Sequence, residues 1–236
     1  AKSISWTTAR RNATDRGVRI ATLPGITPEI LLRNFPADYE LIRSRVNRFA
    51  DQLDQGRTVQ IRTSLGTHLV FSIAGREAHG RKGGIFDKPG FWGNLPCGEA
   101  FIAPVEGTAD GVYFIDGSLP GIGRLSEPVS VSVQSGYAVE FRGGQAARWL
   151  EETLTSVGSP QAFNLAEFGI GCNHQAQVTG ITLEDEKAMG TCHLALGNNA
   201  FFGGTVHCGI HLDGVLTQPD VWIDDKMILR GGEHLV

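Results

Sequence analysis

Two imidazoles and three carboxylates stand out by type and position. They are Glu99 in NLPCGEAF, Glu167 in NLAEFGIGCN, His193 in TCHLALGNN, and His211 and Asp213 in HLDGV. Each lies near the end of an apolar run or beside a Gly-rich turn. Read as a strand, residues 203–215 put Val206, Cys208, Ile210 and Leu212 on one face, and His207, Gly209, His211 and Asp213 on the other, because successive side chains alternate. His-x-Asp then presents two ligands side by side. A divalent transition metal takes imidazole nitrogens and carboxylate oxygens that converge from several elements. Ordinary readings stand beside this one: a His–Asp hydrogen bond, an Arg-paired carboxylate at Glu99, a brace for the glycine loop at Glu167, and a satisfied core imidazole at His193. His207 reads as exposed or supporting. His68, His79, His174 and His234 lack such context and read as surface residues.

The elements that must position these groups change character along the chain. Residues 1–56 hold 9 Lys/Arg and 6 Asp/Glu, a balance of +3; the remainder holds 12 and 19, a balance of −7. TTARRNATDRG reads as a helix with Thr7 or Thr8 as N-cap and Gly17 as its stop. VRIATLPG reads as a short strand. TPEILLRNF has Thr27 as N-cap and Pro28 at the first helical position. A longer helix carries Leu41, Ile42, Val46, Phe49 and Leu53 at helical spacing and stops at Gly56. Helix, strand, helix, helix is the pattern of an α/β tail. After Gly56 the period becomes two. TVQIRTSL and THLVFSIAG read as a hairpin, further strand pairs follow, and SGY and DDK are candidate hairpin tips. One helix interrupts them at GGQAARWLEETLTSVG, with Ala147, Leu150, Leu154 and Val157 inward.

Composition narrows the class. Hydrophobic residues at 41% and charged residues at 19% of the 236 fit a soluble globular protein. A net charge of −4 gives no argument for nucleic acid. No apolar run approaches the roughly 20 residues that cross a bilayer. Cys97, Cys172, Cys192 and Cys208 form no CxxC pair, so they read as reduced thiols of a cytoplasmic protein. No signal peptide is visible, and the start at Ala1 leads us to expect an upstream segment. Phosphate-loop, dinucleotide and serine-elbow motifs are absent.

The segments ARRNATDRGVRIATLPGIT, GNLPCGEAFIAPVEGTADGVYFIDGS, NLAEFGIGCN, LEDEKAMGTCHLALGNNAFFGG and IHLDGVL together resemble the aminopeptidase T and aminopeptidase S family, leucyl aminopeptidase-like metallopeptidases. The resemblance spans nearly the whole chain. It implies an α+β fold: the C-terminal part of a two-domain metallopeptidase, with a mostly antiparallel β body and few helices. Residues 1–56 would be the tail of an α/β domain and 57–236 the β-rich catalytic domain. It implies metal ligands at Glu99, Glu167, His193, His211 and Asp213, with Asp213 bridging two ions of zinc, cobalt or manganese. Glu99 or Glu167 would move the proton of a metal-bound water that hydrolyses the N-terminal residue of a peptide. It also implies a homo-oligomer, such as a dimer.

The chain departs from that family where a Tyr follows HxALG; here Phe201 and Phe202 stand instead. The same region resembles that of ring-cleaving 2,5-dihydroxypyridine dioxygenases. They imply one non-haem Fe(II) held by His193 or His207 with His211 and Asp213. A third reading is a non-catalytic metal-binding module used in oligomer assembly. Peptide hydrolysis is the leading expectation.

Overall fold

Side-chain caps set the starts of the first three helices. The computed structural model describes Ile4, Ser5 and residues 7–236. Helix α1 (Thr8–Asp15) begins where Thr7 Oγ1 accepts from the Arg10 amide. Strand β1 (Ile20–Thr22) follows. Thr27 caps α2 (Pro28–Asn34) and Asp38 caps α3 (Tyr39–Gln55), each satisfying an amide that the helix cannot. Helix α3 buries Ile42, Val46, Phe49, Ala50 and Leu53 along one stripe.

Past Gly56 the chain is mostly strand. In order come β2 (Thr58–Arg62), β3 (His68–Ser72), β4 (Trp92–Asn94), β5 (Glu99–Ile102), β6 (Asp110–Ile115), β7 (Ser118–Leu119), β8 (Gly123–Arg124), β9 (Val129–Gln134) and β10 (Tyr137–Arg142). Helix α4 (Gly144–Thr155) precedes β11 (Leu165–Gly171), the short α5 (Thr182–Asp185), β12 (Thr191–Gly197) and β13 (His211–Thr217). Strands β14 (Asp220–Ile223), β15 (Lys226–Arg230) and β16 (Glu233–His234) close the chain. Ser135 and Asp224 take positive φ at the SGY and DDK tips. The short α5 lies where the sequence gives no helical period.

Eight strands form one antiparallel sheet, β10-β9-β6-β3-β2-β14-β15-β16, and four form a second, β13-β12-β11-β5. Only β1 and β4 pair in parallel among the described strands. One face of the four-stranded sheet is apolar: Ile102, Phe168, Ile170, Leu194, Leu196 and Leu216 are buried in the same cluster as Val59, Ile61, Leu69 and Phe71 of the larger sheet. Phe71 and Phe168 meet edge to face at 5.6 Å. Each such side chain stabilises the fold by about 1.5–3 kcal/mol. The stripe of α3 belongs to this core too. The fold is therefore mixed α/β with mostly antiparallel sheets and few helices.

Two local expectations are corrected. The strand expected over 203–215 begins only at His211. Before it, Asn side chains replace a ladder: Asn199 Oδ1 accepts from the Val206 amide and Asn198 Nδ2 donates to the Cys208 carbonyl. His207 consequently lies exposed in a loop, away from His211. The reading of His79 and His234 as surface residues also fails. His79 is half-buried against Phe101 and Phe202. His234 Nε2 donates to the Gly171 carbonyl at 3.1 Å, and its ring meets Phe49 at 4.7 Å, tying β16 to the end of β11. All four cysteines are free. No helix of the described residues is long and apolar enough to cross a membrane.

Burial pushes the His234 pKa down to about 4, and Arg45 and Arg48 act in the same direction. The unfolded chain protonates this ring first, near pH 6.5. Stability contributed by the neutral ring is present above pH 6.5 and is lost as pH falls towards 4. The wild-type advantage in urea midpoint over His234→Gln should therefore shrink between pH 7.5 and pH 4.5, as wild type loses ground. Parallel curves would contradict this burial effect.

Candidate metal centre

The second face of the four-stranded sheet carries the chemistry. Its register places Gly171 opposite Glu99, Gly169 opposite His193, Ala195 between Glu167 and Asp213, and Gly197 opposite His211. Glu99, Glu167, His193, His211 and Asp213 therefore project from one face, and the structure brings all five together. Glycine and alanine fill the intervening positions on that face. This is a packing requirement: a Cβ on Gly169 would stand 2.1 Å from His193 Nε2.

Glu167 occupies the centre. Its Oε1 lies 3.3 Å from His193 Nε2 and its Oε2 lies 3.2 Å from His211 Nε2. Glu99 Oε2 approaches His193 Nε2 at 3.5 Å, and Asp213 Oδ1 approaches His211 Nε2 at 3.4 Å. Two groups result, each with ligand atoms within 4.8 Å of one another: Glu99, Glu167 and His193, and Glu167, His211 and Asp213. The shared residue is Glu167, not Asp213 as the resemblance implied. Its place on the inner strand β11, between the two histidines, explains this. Asp213 sits on edge strand β13 and reaches one group only.

Charge around the centre is out of balance. Glu99, Glu167, Glu186 and Asp213 bring four carboxylates. Lys187, with a side chain 1% exposed, is held between Glu99 at 2.6 Å and the adjoining Glu186. Burial opposes the charged form of His193, but its hydrogen bond to Glu167 and the field of Glu99 outweigh it and push its pKa up to about 9. His211 is likewise raised well above its ordinary value, with Asp213 outweighing burial. Glu167 is held well below the carboxylate range against its burial, because both imidazoles donate to it. Glu186 is pushed up to about 8, by burial first and, against the opposing Lys187, by Glu99 and Asp213. Without a further cation, protons must fill this role.

The donor set fits a metal ion. Glu99 Oε2 and His193 Nδ1 are buried without a hydrogen-bond partner among the described residues. His211 Nδ1 donates to the Asn198 carbonyl at 2.8 Å, which leaves the Nε2 lone pair of the neutral ring free to ligate and aims it towards the carboxylates. A His and carboxylate set suits a first-row transition metal.

An opening of about 590 Å³ leads to Glu99, Glu167, His211 and Asp213, walled by Phe101 and Phe202. Phe202 stands edge-on to His211 at 5.8 Å and to Phe101 at 5.7 Å. The 3₁₀ turn Ala200–Phe202 thus offers aromatic surface to the opening.

The profile of the family described as NicX, 2,5-dihydroxypyridine 5,6-dioxygenase, matches residues 3–236. The chain belongs to this family. A curated member, the 2,5-dihydroxypyridine 5,6-dioxygenase of Pseudomonas putida, is 26% identical over 218 residues, which cover 87% of this chain and 61% of that protein. The chain thus spans about three fifths of the length of this curated relative. The structure of the 2,5-dihydroxypyridine dioxygenase from Pseudomonas putida KT2440 superposes with a TM-score of 0.86 over 98% of this chain and 69% of its own, at 24% identity. AmpT from Thermus thermophilus superposes with a TM-score of 0.70 over 88% of this chain and 58% of its own, at 22% identity, a likeness of fold alone.

Membership of the dioxygenase family overturns the assignment to the aminopeptidase T and S family. The metallopeptidase, hydrolase and leucyl aminopeptidase readings fall with it, and the description of the fold as part of a two-domain metallopeptidase is not confirmed. The shared fold explains the error: one fold can host unrelated chemistries. Sequence reasoning also missed Lys187 and Glu186. In LEDEKAMG they look like a solvated charge run, and the only local signal is the apolar strand that follows. Asn198, the orienting partner of His211, gave no signal.

Proposed function

We propose that this chain is a metal-dependent dioxygenase that opens a dihydroxypyridine-type ring, using one Fe(II) ion. The observation that supports the reading is a His and carboxylate cluster at the foot of a phenylalanine-walled opening, in a member of this family. His211, Asp213 and Glu167 would hold the ion, with His193 and Glu99 flanking it across Glu167. Iron supplies the one-electron chemistry through which dioxygen reacts with an aromatic ring.

The remaining work falls to the chain's own groups. Asn198 fixes the tautomer of His211. Lys187 holds Glu99 in place and balances its charge. Phe101 and Phe202 offer faces and edges to a planar ring and exclude water from it. Glu186 lines the opening and accepts from the Lys187 ammonium, which keeps Lys187 beside Glu99.

The test is anaerobic loading of the protein with Fe(II), followed by 2,5-dihydroxypyridine and air-saturated buffer. The expected result is one O₂ consumed per ring lost, with one iron per chain. Iron-loaded protein that leaves ring absorbance and oxygen unchanged would sink the reading. Two irons per active chain would overturn its mononuclear form.

A further inference from the structure

A second opening, of about 450 Å³, adjoins the first. The two share Asn94, Glu99, Phe101, Phe201 and Phe202 in their walls. A bare dihydroxypyridine occupies a fraction of this space, so the second opening has room for a substituent or a larger ring system. Its lining is mixed: the aromatic residues Phe86 and Trp92, the carboxylates Glu77 and Glu99, and the cations Arg81, Lys82 and Lys187.

The state of those cations is informative. Arg81 is committed to Asp51 and Asp54. Lys187 is committed to Glu99 and Glu186. Lys82 pairs with no carboxylate among the described residues; its ammonium stands 4.9 Å from the centre of the Phe91 ring. Burial, helped by Arg10, holds its pKa below the ordinary lysine range, as for a cation short of an anionic partner. Asn94 stands at the junction. Its Oδ1 accepts from Thr22 Oγ1 at 2.6 Å and from Ser5 Oγ at 3.1 Å, which leaves its amide NH₂ without a partner among the described residues. A donor fixed by its own acceptor and a half-buried unpaired ammonium share one aromatic-walled space. That is the chemistry of a site for a flat ring carrying a negative charge.

We propose that this second opening binds the anionic substituent of the substrate, so that the preferred substrate class is a hydroxylated pyridine bearing a carboxylate, with Lys82 as its counter-ion and Asn94 as the donor to a ring oxygen. The proposal rests on the ring-cleaving reading, and it names the substrate class of that same site. Lys82 is a specificity residue here; it lies in the second opening and outside the ligand groups.

The test is direct binding under anaerobic conditions, where no turnover occurs. The probes are 6-hydroxypyridine-3-carboxylate and its carboxamide, which differ in charge at nearly equal size. Calorimetry on wild type should find the carboxylate bound about tenfold or more tightly than the amide, the scale of a charge-assisted hydrogen bond. Lys82→Met should bring the two to near parity while the amide affinity holds, and Lys82→Arg should keep the preference. Asn94→Ala should weaken both probes alike. Parity in wild type, or a carboxylate preference that survives in Lys82→Met, would overturn the proposal. Failure of the oxygen-uptake assay with the preference intact would instead strike the dioxygenase reading and leave an anion-binding pocket.

Discussion

His211→Ala is expected to cost more than about 100-fold in both iron affinity and ring cleavage. The side chain is oriented from outside by Asn198 and aimed from within at Glu167 and Asp213. Its loss leaves one ligand group with carboxylates alone, which suit harder cations than iron. Supporting groups around a metal commonly contribute 10–100-fold, and a direct ligand contributes more. His193→Ala provides the comparison. His193 belongs to the other group, so its loss should stay within about 10–100-fold and should leave iron measurable on the chain. Metal analysis after anaerobic loading, with oxygen uptake on the same samples, separates the two variants. Equal loss of iron in both would place His193 in the ligand set and move the ion to the far side of Glu167.

Lys187→Met should be the most destabilising single change at the site. The ammonium is almost fully buried and serves two carboxylates, Glu99 and Glu186. Removing it leaves uncompensated negative charge in a low-dielectric setting, a loss of about 3–5 kcal/mol where buried pairs are broken. Urea unfolding of the metal-free protein would measure it. A bound cation restores part of the missing charge, so the loss should shrink on iron loading. Adding Glu186→Gln to Lys187→Met should recover part of the stability, because it removes one of the stranded carboxylates. A loss below about 1 kcal/mol would mean that the pair behaves as an exposed one.

Both expectations concern residues that differed sharply in how readable they were. His211 and Asp213 announced themselves through His-x-Asp, because two ligands one residue apart on a strand share a face. Lys187 gave no such notice. A lysine in a charge run is solvated in most settings, and only the tertiary approach of Glu99 on β5 makes it a buried counter-ion. Lys82 and Asn94 are similar: what marks them is a donor group that faces no acceptor among the described residues at the wall of a cavity, and no sequence states that.

The substitution of Phe201 and Phe202 for a hydroxyl was visible in the sequence, and it pointed away from the peptidase reading that the other motifs favoured. Five positions that the resemblance implied as ligands outweighed one departure in that reading. A fold, however, admits several chemistries. The wall of the cavity is the better guide to substrate, and here it is aromatic.

By itself the sequence determined what depends on near neighbours. Thr7 and Thr27 cap helices because an oxygen reaches an amide a few residues on. The change of period at Gly56 fixes where helix gives way to strand, and the tips at Ser135 and Asp224 follow from turn chemistry. The tertiary structure alone decided which distant groups meet. Glu167 became the shared carboxylate because β11 lies beside β12 in the order β13-β12-β11-β5 and because Gly169 leaves room for the His193 ring. Strand order is set by burial of a whole apolar face against another sheet, a sum over many residues that no short stretch of sequence records.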